Sequence, residues 1–324
     1  MGLFAQIFRL KKLIGYIKQF IREELDLRYL SFLVAFLSLG IWIWYRNDFF
    51  MNMRNEVSRD YRTFIFHFVL YAIPYSVAFG SYIVFKKRWD LLKNSGFWLL
   101  SVLAVSIFAF RSGFTLLMLP LLDAMNSTYE HPLYWFRVYS DIGRYLAIMI
   151  PVTIYWYFDR KFSSNPYGFT LENFNLKPYF AMLLIMLPFV LSFALTDHFG
   201  ASYPRAGKWG LQDFDILNSA DQKYFLFYEF IYGIDFVSIE YFFRGFLIIA
   251  FARYVGPGAI LPMAAFYVFI HFGKPYVETI SSFFGGSLLG ILSFYSRSIW
   301  GGIVVHVGIA WLMELGAFVG KMNK

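Results

Sequence analysis

Cysteine is absent from the 324 residues, so disulfides, thiolate nucleophiles and thiolate-held zinc or iron–sulfur centres are excluded. Charge is scarce too: 15% of residues are charged against 59% hydrophobic, and the mean hydropathy is +0.53. A soluble domain of this length would need more charge to cover its surface, and soluble buried helices would need amphipathic partners that are almost missing here. A nucleic-acid partner is not expected either, because the formal charge of +8 is spread over the flanks of apolar runs rather than gathered in a patch. No internal repeat and no low-complexity segment interrupts the chain.

What is present in abundance is apolar sequence in blocks. The stretches SFLVAFLSLGIWIWY from Ser31 and FHFVLYAIPYSVAFGSYIVF from Phe66 approach or reach the length that crosses a bilayer. Aromatic residues, 23% of the chain, gather where these runs meet charge: Trp42, Trp44 and Tyr45 precede Arg46, Trp89 follows Lys86, Lys87 and Arg88, and Tyr155, Trp156 and Tyr157 precede Asp159. Such girdles mark the membrane–water interface. The predicted fold class is therefore an all-α, polytopic transmembrane helical bundle in contact with membrane lipids. Candidate spans lie near 29–46, 63–85, 96–121, 144–158, 179–195, 224–253, 259–273, 281–296 and 298–317. The basic N-terminus and the basic loop Lys86–Lys93 are both predicted cytoplasmic. Nine spans would put Lys321 and Lys324 outside; about eight, with one short segment re-entrant or merged, satisfies the charge rule better.

The chain divides into an interfacial amphipathic helix (1–28), an N-terminal transmembrane region with a polar loop (29–223), a membrane core (224–318) and a short tail (319–324). In the first, Phe4, Ile7, Leu10, Leu13, Ile14, Ile17, Phe20 and Ile21 recur at helical spacing among Arg9, Lys11, Lys12, Lys18 and Arg22, a pattern suited to an anionic leaflet. It lacks the cleavage site of a signal peptide, and Gln6 stands where a myristoylation signal needs Ser or Thr. The absence of a sorting signal favours a bacterial plasma membrane. The longest polar loop, Asp197 to Lys223, contains Pro204, Gly207, Gly210, Asp213, Asp215 and Asp221; it reads as a connector or as a cap over an opening. Asn126, Ser127 and Thr128 match a glycosylation acceptor, which matters only in a compartment that glycosylates.

Polar residues inside apolar sequence carry the functional signal. Glu229, Asp235, Glu240 and Arg244 fall within one long apolar segment, where exposure to lipid would cost several kcal/mol per charge. Glu240 and Arg244 are four residues apart with the acid first, so they can pair on one helix face; the pair reads equally as structural or as part of a site. His271 and His306 each follow or interrupt a separate apolar run. Together with an internal Glu–Arg helix, two such histidines suggest a centre for metal-activated water, whose proton a nearby carboxylate would take. Ser281, Ser282, Gly285, Gly286 and Gly290 supply small residues for close helix packing.

The order of these segments resembles the CPBP family of intramembrane proteases, which includes the CAAX prenyl endopeptidases. The family's Glu-Glu-x-x-x-Arg motif is met by Ile239, Glu240, Tyr241, Phe242, Phe243, Arg244 and Gly245; its Phe-x-x-x-His motif by Tyr267 to His271; and its His-x-x-x-Asn motif by His306 to Ala310. The likeness covers about residues 224–318. It implies an intramembrane endopeptidase of metalloprotease or glutamate type acting on lipidated or membrane-bound substrates. The site residues would be Glu240, Arg244, His271 and His306, with Zn2+ or another divalent metal held by His271, His306 and Glu240, or with Glu278 in place of Glu240. Two positions depart: Ile239 replaces the family's main water-activating Glu, and Ala310 replaces a polar side chain. Neighbouring helix positions are rotated by about 100°, so Glu240 is no automatic substitute for position 239, and Asp235, Glu278 and Glu314 are further candidates. The competing reading is a non-catalytic membrane binding or scaffold protein, of the immunity type among others, and a transporter is a third.

Overall fold

The computed structural model describes residues 3–322 apart from 48, 59, 127, 173, 195, 197–198, 200–202 and 206–217. Its elements are α1 (Leu3–Glu23), α2 (Leu27–Arg46), α3 (Phe49–Val57), α4 (Arg62–Lys86), α5 (Ser95–Asn126), α6 (Pro132–Asp159), α7 (Leu176–Ala194), α8 (Ser219–Glu240), α9 (Ala252–Val255), α10 (Ile260–Phe269), α11 (Tyr276–Ser296) and α12 (Trp300–Met322). A π-helix, Tyr241–Ala250, prolongs α8, and 3-10 turns cover Trp89–Lys93 and Gly256–Ala259. No strand occurs among the described residues.

The protein is an all-α polytopic membrane bundle. Seven described stretches are long and apolar enough to cross a bilayer, compared with the eight or so expected. One of them, 221–269, is a composite: it runs up α8 and the π-helix, turns at Gly256–Ala259 and returns along α10. Helix α6 begins at Pro132, well before the expected 144, and Arg137, Asp141 and Arg144 lower its hydropathy.

Burial rather than amphipathicity picks the inward faces, as hydrocarbon demands. In α2, Tyr29, Leu33, Leu37, Ile41 and Trp44 form a buried stripe, while Phe32, Leu39 and Trp42 are exposed on the outer face. The helix starts where the Asp26 carboxylate accepts hydrogen bonds from the backbone N–H of Arg28 (2.9 Å) and Tyr29 (3.3 Å). Pro74, Pro120, Pro151 and Pro188 lie inside α4, α5, α6 and α7; spanning helices tolerate proline because neighbours satisfy the carbonyls it frees. Helix α1 lies against α11, where Tyr16 stacks on Tyr295 at 5.6 Å and the Tyr295 hydroxyl donates to Glu23 (3.2 Å). Its Phe20 is buried and Lys11, Lys12, Lys18 and Arg22 are exposed; the side chains of residues 3–10 lie outside the described ones.

Contacts between turns define two ends of the bundle. At one end Lys86 pairs with Glu24 (3.4 Å), Arg88 donates to the Tyr254 carbonyl (2.8 Å), Arg253 pairs with Asp159, and the Ile299 N–H donates to the Gly168 carbonyl (3.0 Å). At the other end Tyr45 donates to the Lys274 carbonyl (2.6 Å), Tyr134 to the Tyr224 carbonyl (3.1 Å), and Tyr203 to Glu278 (3.1 Å). Of the long polar loop, Gly207, Gly210, Asp213 and Asp215 lie outside the described residues, as does Ser127 of the acceptor sequence.

Candidate functional site

Glu240 closes α8 at the point where the π-helix begins, and it is fully buried. Its Oε1 lies 3.0 Å from Arg244 Nη1 and 2.8 Å from His306 Nδ1, so one carboxylate oxygen joins a cation on its own helix to an imidazole on α12. The four-residue spacing that allowed the Glu240–Arg244 pair in the sequence is thus realised. Gly302 makes the approach of α12 possible, because a Cβ there would collide with Glu240 Oε2. The other ring nitrogen of His306, Nε2, is 3.2 Å from the Tyr267 hydroxyl on α10. Arg244, fully buried, lies over the Tyr267 ring at 4.7 Å in a cation–π contact. Among the described residues, Glu240 Oε2 has no hydrogen-bond partner, and Arg244 Nη1 meets Glu240 Oε1 as an ion pair without an aligned hydrogen bond.

His271 stands in the turn after α10. Its Nδ1 bonds the Tyr267 carbonyl (2.7 Å), and its ring packs on the Tyr267 ring at 4.5 Å. Burial, with the Lys274 charge adding to it, pulls its pKa down to about 3, so the imidazole is neutral near pH 7. The Thr279 hydroxyl donates to the His271 carbonyl (2.9 Å) and lies 2.7 Å from the Tyr45 hydroxyl, which braces this turn against the end of α2. Glu278 sits beside it, bound by Lys274 (2.6 Å) and by the hydroxyl of Tyr203. The described part of the long loop therefore lies across this end: Tyr203 reaches α11, and the Arg205 N–H donates to Glu314 on α12 (2.8 Å).

The expected site residues separate into two groups with Tyr267 between them. Glu240, Arg244 and His306 are in direct contact. His271 and Glu278 lie beyond the Tyr267 ring, whose centroid is 4.5 Å from that of His271 and 6.1 Å from that of His306. Both nitrogens of His306 are engaged and Arg244 holds the Glu240 oxygen that His306 shares, so the donor set does not fit a divalent metal. Among the described residues no three His, Asp or Glu side chains gather as a ligand set.

The alternative carboxylates lie elsewhere. Asp235 pairs with Arg111 on α5 (2.5 Å). Glu314 interacts with Glu229 across the α8–α12 seam, three helical turns from Glu240 along α8. Ile239 is buried in the main apolar core, and Ala310 is buried on α12. The small residues act as expected at two positions: a Cβ at Gly286 would lie 3.0 Å from Tyr267, and one at Gly290 2.9 Å from Ile248 and Met263.

The sequence reading overlooked a second polar cluster. Arg137 (3.0 Å) and Arg144 both pair with Asp141, which is almost fully buried in α6, beside the Arg111–Asp235 pair. The signal was available as Arg137, Asp141 and Arg144 at spacings of four and three, once the helix is started at Pro132. Tyr267 was noted only as a motif position, and its phenol was the missed polar group of the centre.

Residues 222–312 match a family model described as Type II CAAX prenyl endopeptidase Rce1-like. No curated protein and no solved structure matches the chain. The matched region holds Glu240, Arg244, Tyr267, His271, Glu278 and His306. A polytopic helical bundle whose C-terminal core is similar to the CAAX endopeptidases is what fold and comparison jointly establish.

Proposed function

We propose that this chain is a fold-retaining relative of the CAAX-type intramembrane proteases that receives a membrane-embedded polypeptide at the Glu240–Arg244–His306 centre and does not hydrolyse it. The observation carrying this reading is the combination of Ile239 with a Glu240 bound by both Arg244 and His306. A general base needs a lone pair aimed at an accessible water, and isoleucine offers none. The same centre keeps unspent hydrogen-bonding capacity in Glu240 Oε2 and in Arg244 Nε. Buried polar groups of that kind suit the donors and acceptors of a guest's backbone, since leaving them unsatisfied costs about 1–3 kcal/mol each.

The test uses purified protein with a library of lipidated and membrane-spanning peptides. The unchanged chain is expected to bind a subset without cleaving it, and Ile239→Glu, which restores a carboxylate at the family's water-activating position, is expected to gain slow hydrolysis. Cleavage by the unchanged protein, lost in both His271→Ala and His306→Ala, would overturn the proposal in favour of a working protease.

A further inference from the structure

The polar centre is connected to one end of the bundle and sealed from the other. Toward the end that holds the Lys86–Lys93 loop, the layer beneath Glu240 and Arg244 consists of Phe242, Phe243, Phe246, Leu247 and Ile248, each with no exposed surface, backed by Met263 and Phe266. Toward the opposite end polar groups recur on both sides of the Tyr267 ring. Glu240, His306 and Tyr267 lead to His271, then to Glu278 and Lys274, whose side chains are 14% and 28% exposed. Tyr203 and Arg205 lie over this exit. Water and polar chain enter along polar groups, and each buried donor in an apolar plug would cost several kcal/mol, so the exit sets the direction of access.

The two ends differ in charge. The sealed end carries Lys86, Lys87, Arg88 and Lys93 in one short loop and Arg160, Lys161 and Lys177 in another, with Arg253 and Arg297 in the turns. The exposed Lys11, Lys12, Lys18 and Arg22 of α1 join them. At the exit end the turn 270–275 has one basic residue, Lys274, and the connection 127–131 has none; the stretch 46–62 carries Arg46, Arg54, Arg59 and Arg62 interleaved with Asp48, Glu56 and Asp60. The sequence from 195 to 223 carries Arg205, Lys208 and Lys223 against Asp197, Asp213, Asp215 and Asp221, and Lys321 and Lys324 close the chain, so basic residues are fewer here than at the sealed end rather than absent. An excess of Lys and Arg in short loops and near helix ends orients that side toward the cytoplasm.

We propose that the Glu240–His306 centre is entered from the extracytoplasmic face, and that its guest is a polypeptide segment exposed on the outer side of the membrane. This rests on the reading of the centre as a receiving site and specifies the side from which it receives. A lipidated C-terminus presented from the cytoplasm would instead meet the phenylalanine plug.

The native absence of cysteine makes the test direct. Single variants Thr128→Cys, Tyr276→Cys and Lys274→Cys report the exit end, and Trp89→Cys and Leu171→Cys report the sealed end. All five positions have solvent-exposed or part-exposed side chains, and three reporters at the exit end and two at the sealed end guard against one variant misfolding. Intact cells are treated with a membrane-impermeant maleimide, then permeabilised and treated again. Label at 128, 276 and 274 in intact cells, with 89 and 171 reacting only after permeabilisation, is the expected result. The reverse pattern, or label at 89 and 171 in intact cells, overturns the proposal. Labelling requires neither binding nor turnover, so its outcome is independent of whether the peptide assays above succeed.

Discussion

Glu240 is the residue on which the centre turns, because it is fully buried and carries two partners on one oxygen. Removing one member of a buried ionic network leaves the remainder uncompensated, at about 3–5 kcal/mol. Glu240→Gln is therefore expected to lower the thermal midpoint in detergent markedly. Glu240→Gln combined with Arg244→Gln should recover part of the loss, since the orphaned guanidinium is then gone; equal melting of all three proteins would show that the pair contributes nothing. Gly302→Ala tests the same contact from the other side. A methyl group there displaces Glu240 Oε2 by steric overlap, so the expected result is destabilisation with every charge intact, measured in the same melting experiment. These effects were partly legible beforehand: spacing alone paired Glu240 with Arg244. It could not say that His306 would be the third partner or that Tyr267 would stand between the histidines. Those facts depend on how α10 and α12 rotate about their axes, and a helix apolar on all faces gives no periodicity from which to read rotation.

At the scale of elements, the segment Tyr203–Arg205 holds α11 and α12 together through Glu278 and Glu314. Tyr203→Phe deletes one hydrogen bond while keeping the buried ring, with an expected cost of about 1 kcal/mol. Local opening should rise accordingly, and trypsin in detergent should cut after Arg205 faster in Tyr203→Phe than in the unchanged protein; identical rates would show that the bond does not hold the segment closed. The long loop was recognisable in the sequence as a connector or a cap from its polar composition, whereas its particular anchors were not, because Glu278 and Glu314 lie 75 and 109 residues from their partners. Helix α6 shows the opposite failure. Its charged residues shortened the apparent span, and only the pairing within Arg137, Asp141 and Arg144 explains how they are accommodated inside a bundle.

Across the whole molecule, the two intramembrane polar clusters divide the labour between halves. The Glu240 cluster lies within the region similar to the CAAX endopeptidases, and the Arg111–Asp235 pair ties that region, through α8, to α5 in the N-terminal half. Arg111→Leu should be destabilising because it removes the one cation that bonds Asp235 directly and leaves only the neighbouring charges of Arg137 and Arg144. Arg111→Leu with Asp235→Leu should lie closer to the unchanged protein in a melting series, as replacing both members of a buried pair by apolar residues is often neutral. If the double variant is the less stable of the two, the charges themselves hold the halves together. Hydropathy blocks and aromatic girdles were sufficient to establish the membrane bundle, since hydrocarbon imposes helix on every apolar run. The docking of one half on the other was invisible, because it joins residues far apart in sequence, through the Arg111–Asp235 pair, 124 positions apart, and the apolar contacts of Phe108 with Phe242 and Phe266.

The π-helical stretch Tyr241–Ala250 also bears on how this chain tolerates insertion and deletion. Its wide coil accommodates more residues per turn than an ordinary helix, so the backbone could lose one residue and reseal its ladder in the tighter form. Shortening by a single codon between Phe242 and Gly245 would thus leave a continuous rod of helix, yet swing the guanidinium of Arg244 off the phenol face of Tyr267. Such a deletion would leave a span that can still insert while its polar heart is taken apart, with a loss of stability of the kind expected for Glu240→Gln.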